Sequence, residues 1–180
     1  RLVPEKLEEP LRWKKPRRIF INSMSDLFHE DVPDEYVIRV FDVIRRCDSE
    51  RPGHVFQLLT KRAARMADFC ARLRWDSEGE GRLWLSDTPA PSGFAPPGDG
   101  YALVRGLSRL WLGVSVENQA AADERIPHLL ATPAAVRFVS AEPLLSHVHL
   151  RPTARCHEDL TPWLGPDRIS IGRLTHSAPA

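Results

Sequence analysis

A chain of 180 residues with 42% hydrophobic composition is the size of one domain and carries enough apolar material for a core. Its net charge of +1 gives no bulk pull toward a polyanion, and no apolar run is long enough to cross a bilayer. With no signal peptide visible, the expectation is a cytoplasmic protein with no membrane partner. The first residue is Arg1 rather than Met, so a natural N-terminus further upstream is expected.

From Arg1 to Lys15, Leu2, Leu7, Leu11 and Trp13 can pack, while Pro4 and Pro10 interrupt any long helix. This reads as a loop or short helix. The basic run Lys14-Lys15-Pro16-Arg17-Arg18 reads first as the solvated entrance of a strand, with phosphate contact the weaker alternative. Nucleic acid is thus a weakly supported partner.

The stretch from Arg17 to Arg46 organises the rest. Ile19-Phe20-Ile21 is a short apolar run that turns polar at Asn22-Ser23-Met24-Ser25-Asp26. After Pro33, with Asp34 and Glu35 behind it, Val37, Val40, Phe41 and Ile44 recur at i, i+3, i+4, i+7, which is one face of a helix. Pro and two acids suit a helix start, where free N–H groups point outward. The unit is strand, polar loop, helix.

The unit recurs. His54 to Leu59 runs into Thr60-Lys61-Arg62, followed by a stripe of Met66, Phe69, Cys70 and Leu73. Leu110 to Val114 runs into Ser115-Val116-Glu117-Asn118, followed by Ala122, Ile126, Leu129 and Leu130. Pro127 predicts a kink or two short helices there. Val136 to Val139 runs into Ser140-Ala141-Glu142-Pro143.

Between the second and third units, Asp76 to Gly100 mixes glycines and prolines and loses periodicity, which predicts a mobile insertion, with Leu83-Trp84-Leu85 and Tyr101 as its pins. Past Leu150 the pattern decays into an expected irregular tail, with only Arg168 to Gly172 hinting at a strand.

Strands alternating with helices predict an α/β fold: parallel strands in a partial β/α (TIM-like) barrel of repeated β-loop-α units over residues 1–150, with 151–180 as tail. Four units are too few to close an eight-stranded barrel, so the chain is either a small open sheet or a fragment of something larger. In such folds ligands bind beyond the carboxyl ends of the strands.

Alternation then sorts the side chains. Ile19 and Ile21, Phe56 and Leu58, and Leu112, Val114 and Val116 suit the helix side. The opposite face is expected to collect Asn22, Gln57, Lys61, Ser115, Glu117 and Arg137, with Asp26, Thr60 and Glu142 in adjoining loops. So many polar groups on one face exceed what a structural sheet needs. A bare Lys61–Glu117 salt bridge is the competing reading. The three cysteines, Cys47, Cys70 and Cys156, have no metal-like spacing, and His147 and His149 have no third ligand beside them.

INSMSDLFHEDVP, FQLLTKR, WLGVSVEN with DERIP, and RFVSAEPLL resemble, in order, the blocks of an uncharacterised phage-associated family. That family looks related to radical S-adenosylmethionine enzymes such as spore photoproduct lyase. The resemblance covers about Leu7 to Leu150. For intact relatives it implies S-adenosylmethionine and a [4Fe–4S] cluster held by three thiolates of one short loop. This chain lacks that loop, and its tail departs from the family, so it is expected to be a truncated or frame-shifted member, holding no cofactor and inactive alone.

By position, the resemblance implies that Asn22, Ser23 and Asp26 hold the methionyl amine, and that Ser115 and Glu117 contact the ribose. It puts Lys61 and Arg62 toward a substrate carboxylate or phosphate, and Glu142 toward a proton or hydrogen bond. Lys61, Glu117 and Glu142 are the candidate catalytic groups. The competing functions are a non-catalytic remnant or anion-binding α/β module and, last for want of a nucleophile–base motif, a cluster-free acid–base enzyme. Glu117 is expected to serve a ligand; the substrate is not legible.

Overall fold

The computed structural model describes residues 2–50, 53–75, 83–87, 107–150 and 169–171. After a single turn at Pro4–Lys6 and a short helix α1 (Glu9–Arg12), the chain enters β1 (Arg18–Ile21) and helix α2 (Asp34–Glu50). Strand β2 (Val55–Thr60) leads into α3 (Ala63–Arg72), and β3 (Leu73–Trp75) and β4 (Leu83–Leu85) form a small antiparallel ladder. Strand β5 (Leu110–Ser115), helix α4 (Gln119–Ala131), β6 (Val136–Ser140) and β7 (Ile169–Ile171) complete the elements.

The main sheet has the order β1-β2-β5-β6-β7, and all four pairings are parallel. Each new strand is added beside the previous one, so crossovers of one hand put the connecting helices on one face. That is the winding of a β/α barrel, but among the described residues the sheet is open, with β1 and β7 as its edges. The predicted parallel β-loop-α repeat stands; among the described residues it does not close into a barrel.

The covered face alternates as half-buried strands must. Phe56 and Leu58 of β2, and Leu110, Leu112 and Val114 of β5, are buried under Val37, Phe41 and Ile44 of α2 and Met66 and Phe69 of α3. Phe28 reaches in from the β1–α2 loop and meets Phe41 and Phe69, with ring centroids 6.5 and 5.8 Å away. Its side chain is fully buried, so this loop is pinned by packing as well as by polar contacts.

Several expectations change. Arg137 pairs in register with Leu112, not with Trp111 or Gly113, and therefore sits on the helix face. There its Nε donates to the Thr132 carbonyl at 2.8 Å, and burial pushes its guanidinium below the usual range. Val136 and Phe138 take the open face instead, with the Phe138 ring lying over Gly113, where no side chain opposes it.

Pro127 does not divide α4, which runs unbroken through it. The helix is fastened at both ends: the Asn118 side chain accepts from the Ala121 N–H at 2.9 Å, and the Thr132 hydroxyl donates to the His128 carbonyl at 2.7 Å.

Leu73 is buried as the stripe requires, but it opens β3 instead of extending α3. Leu83 and Leu85 pack on the core from β4, so part of the expected insertion is a strand. The Ser86 N–H donates to the Arg72 carbonyl at 2.8 Å, while residues 76–82 and 88–101 lie outside the described residues. The tail is not wholly irregular, since Ile169–Ile171 extends the sheet beside β6; its remainder also lies outside the described residues.

Candidate functional site

Parallel register brings the carboxyl ends of β1, β2, β5 and β6 onto one rim, where most of the sequence-predicted residues gather. They fall into two groups.

The first surrounds Asp26. Its Oδ1 accepts from the Phe28 N–H at 3.0 Å and the Thr60 hydroxyl at 2.7 Å. Its Oδ2 accepts from the Lys61 N–H at 3.0 Å and from Arg62 at 3.2 Å. Thr60 accepts in turn from the Arg62 N–H at 2.9 Å, and the Arg62 Nε reaches Glu30 at 3.2 Å. Thr60 is the last residue of β2 and is buried on the helix face, rather than lying in a loop.

Arg65, which sequence reasoning missed, clamps the same loop from α3. It donates to the His29 carbonyl, to the Val32 carbonyl at 2.6 Å and to Asp34 at 2.8 Å. Its position on a helix flank carries no local signal of this role, because the carbonyls it satisfies lie more than thirty residues earlier.

The second group surrounds Glu117. One carboxylate oxygen is paired with the Lys61 ammonium and the other with the Arg125 guanidinium at 2.8 Å. Arg125 also donates to the Ser115 carbonyl at 2.8 Å. The Lys61 hydrogen bond, ahead of the penalty of burial, holds the Glu117 carboxyl below the usual range, with Arg125 assisting. Glu117 and Ser115 are buried, whereas the Lys61 side chain is 54% exposed. Arg125 was also missed; its only signal is a cation in the second turn of the helix that follows Glu117.

Ser115 pairs in register with Ser140, and the Ser140 carbonyl accepts from the Val116 N–H at 2.8 Å. Asn22 has the left-handed φ of 58°, which Asn tolerates better than most residues, and its carbonyl accepts from the Ser25 N–H at 3.1 Å. Ser23 and Glu142 are exposed. Beyond β6 the chain crosses the rim, where Leu145 donates to the Glu117 carbonyl at 2.8 Å and His149 is held by Gln119 at 2.7 Å.

Lys61 and Glu117 are therefore brought together, as are Asp26 and Arg62. Asn22, Ser23 and Glu142 share the rim outside both groups. The His147 and His149 rings lie against each other, tilted by 50° with 4.3 Å between centroids. Among the described residues no three His, Cys, Asp or Glu side chains converge as a metal site would require.

These features define the class: an open, singly wound α/β domain whose polar and charged side chains line the carboxyl rim of a parallel sheet. The chain belongs to the family described as Protein of unknown function (DUF5131), whose model matches residues 1–164. No curated protein and no solved structure matches it. No helix among the described residues is long and apolar enough to cross a membrane.

Proposed function

We propose that the chain is a ligand-binding core of the radical S-adenosylmethionine-like type, a β/α half-barrel that binds through its carboxyl rim and does no radical chemistry alone. The phage association and the kinship to those enzymes rest on the sequence blocks that resemble that family. The observation that carries the binding reading is the Lys61–Glu117 pair: a buried carboxylate at a strand end, held on one side by a half-exposed, movable ammonium.

The cluster and the small molecule fare differently when fitted to these residues. Cys47 and Cys70 are buried on α2 and α3, and burial pushes the Cys70 thiol up to about 12, so neither suits a thiolate ligand of a shared cluster. S-adenosylmethionine, which the resemblance assigns only to intact relatives, suits this chain's own rim better than the expected absence of any cofactor implies, because its cationic and hydroxyl groups match carboxylate and hydroxyl partners. Glu117 and Ser115 would take the ribose, Asn22 and Ser23 the amine, and Lys61 and Arg62 an anionic group. When bound it would supply a sulfonium centre. Glu142, exposed at the end of β6, would hold a proton or hydrogen bond at its carboxylate.

The second reading, a non-catalytic module, is favoured by Asp26, whose two oxygens are already filled by internal donors. Titrating S-adenosylmethionine into labelled chain, followed by amide shifts, tests the proposal. The expected shifts lie at Asn22, Ser23, Ser115 and Glu117. Absence of any shift at millimolar ligand leaves the non-catalytic reading.

A further inference from the structure

We propose that the outer edge of β1 docks on β1 of a second copy of this chain, antiparallel across a two-fold axis. Successive residues of a parallel strand direct their backbone groups to alternate sides. The Val55 N–H donates to the Arg17 carbonyl at 2.9 Å, so Arg17, Ile19 and Ile21 serve β2. Arg18 and Phe20 then turn their N–H and C=O groups outward, and among the described residues no strand meets them. Such an edge is a template for another chain.

Its surroundings suit a copy of itself. Phe20 is 44% exposed, an uncommon state for an aromatic ring on a strand. Beside β1, on the helix side, an open groove of about 790 Å³ is lined by Ile19, Ile21, Tyr36 and Val40 and by Leu2 and Lys6 of the chain's own N-terminal segment. Charge selects the direction of pairing. The entrance of β1 carries the exposed cations Lys14, Lys15, Arg17 and Arg18, and the loop and helix start beyond its exit carry the exposed acids Asp31 and Glu35. Antiparallel pairing lays the basic entrance of one copy against the acidic exit of the other; parallel pairing would set like against like.

A register centred on Ile19 follows. Arg18 exchanges backbone hydrogen bonds with the partner's Phe20, and Ile19 faces the partner's Ile19 on the helix side. The two edges satisfy each other, and the assembly closes at two copies. On the open face each Arg18 guanidinium, now 5.4 Å from the Trp111 ring centroid, gains the partner's Phe20 ring as a second aromatic neighbour.

Light scattering on size-exclusion fractions of the full chain, in the high-micromolar range, tests this. A dimer is expected. Phe20→Pro removes an N–H that serves only the free edge, so it should give a monomer with an unchanged circular dichroism spectrum. Should the proline unfold β1, Phe20→Lys replaces the same exposed side chain without touching the backbone and should also give a monomer. A monomeric parent overturns the proposal, and slow amide exchange at Arg18 and Phe20 in that monomer would assign the edge to a segment of the same chain. A dimer that survives in a folded Phe20 variant overturns it equally, by placing the interface elsewhere.

Discussion

Two carboxylates sit at neighbouring positions on one rim and are held in opposite ways. Asp26 accepts from two backbone N–H groups and a hydroxyl, none of which can leave without moving the β1–α2 loop off the end of β2. Glu117 is held by the ends of two long cationic side chains, one of them half-exposed. The first is a fastening. On the proposed reading the second releases its partner to a ligand, because the half-exposed Lys61 side chain has solvent to move into. The contrast teaches that position at a strand end does not by itself make a residue available; the kind of donor facing it does.

The comparison breaks most sharply at Asp26. Asp26→Ala leaves the Thr60 hydroxyl, the Lys61 N–H and the Arg62 guanidinium without their acceptor, and should cost about 3 kcal/mol. Urea unfolding followed by circular dichroism reads the loss. A cost below about 1 kcal/mol, the usual worth of an exposed pair, would remove the distinction between the two halves of the rim.

Gly113→Ala probes the open face between them. A Cβ at Gly113 would run into the Phe138 ring, which must tilt away or shift β6. The expected loss is about 1–3 kcal/mol, as for other overpacked sites. Phe138→Leu in the same background should recover part of it; no recovery would mean that the strain lies in the backbone.

The smallest effect on stability belongs to Glu117. Its carboxyl is held below its ordinary value of 4.5, so its pairing contributes fully above that value and is lost as pH falls through the folded-state value. With Lys61 half in solvent, its share of the contribution is about 1 kcal/mol. Glu117→Gln should therefore lower the melting temperature modestly at neutral pH and leave it unchanged below the folded-state value, which flattens part of the acid limb. An acid limb identical to the parent's would show that Glu117 is not linked to folding.

The alternation of faces was legible in β1, β2 and β5 because helix cover demands apolar partners and the strands supply them at period two. It failed in β6. Val136 and Phe138 are apolar yet face the open side, while Arg137 buries its stem among the helices and satisfies its head on Thr132. The clue lay in another strand, where Gly113 leaves room for one large neighbouring ring. The rim residues were legible as a group, since they follow each strand. Their internal partners were not: Thr60 with Asp26, Arg65 with the Val32 carbonyl and Arg125 with Glu117 depend on how loops dock, which local periodicity does not encode. Pro127 misled because propensity was weighed without the caps that hold α4 at both ends.

The central claim is that Glu117 is available to a ligand while Asp26 is not. Calorimetric titration of S-adenosylmethionine into the chain and into Glu117→Gln tests it most directly. The account predicts measurable binding by the parent and a loss of roughly 1.5–3 kcal/mol in the variant, the worth of a charge-assisted hydrogen bond, with a near-parental melting temperature. Unchanged affinity in the variant, together with a large drop in melting temperature, would contradict it and make Glu117 a second fastening like Asp26.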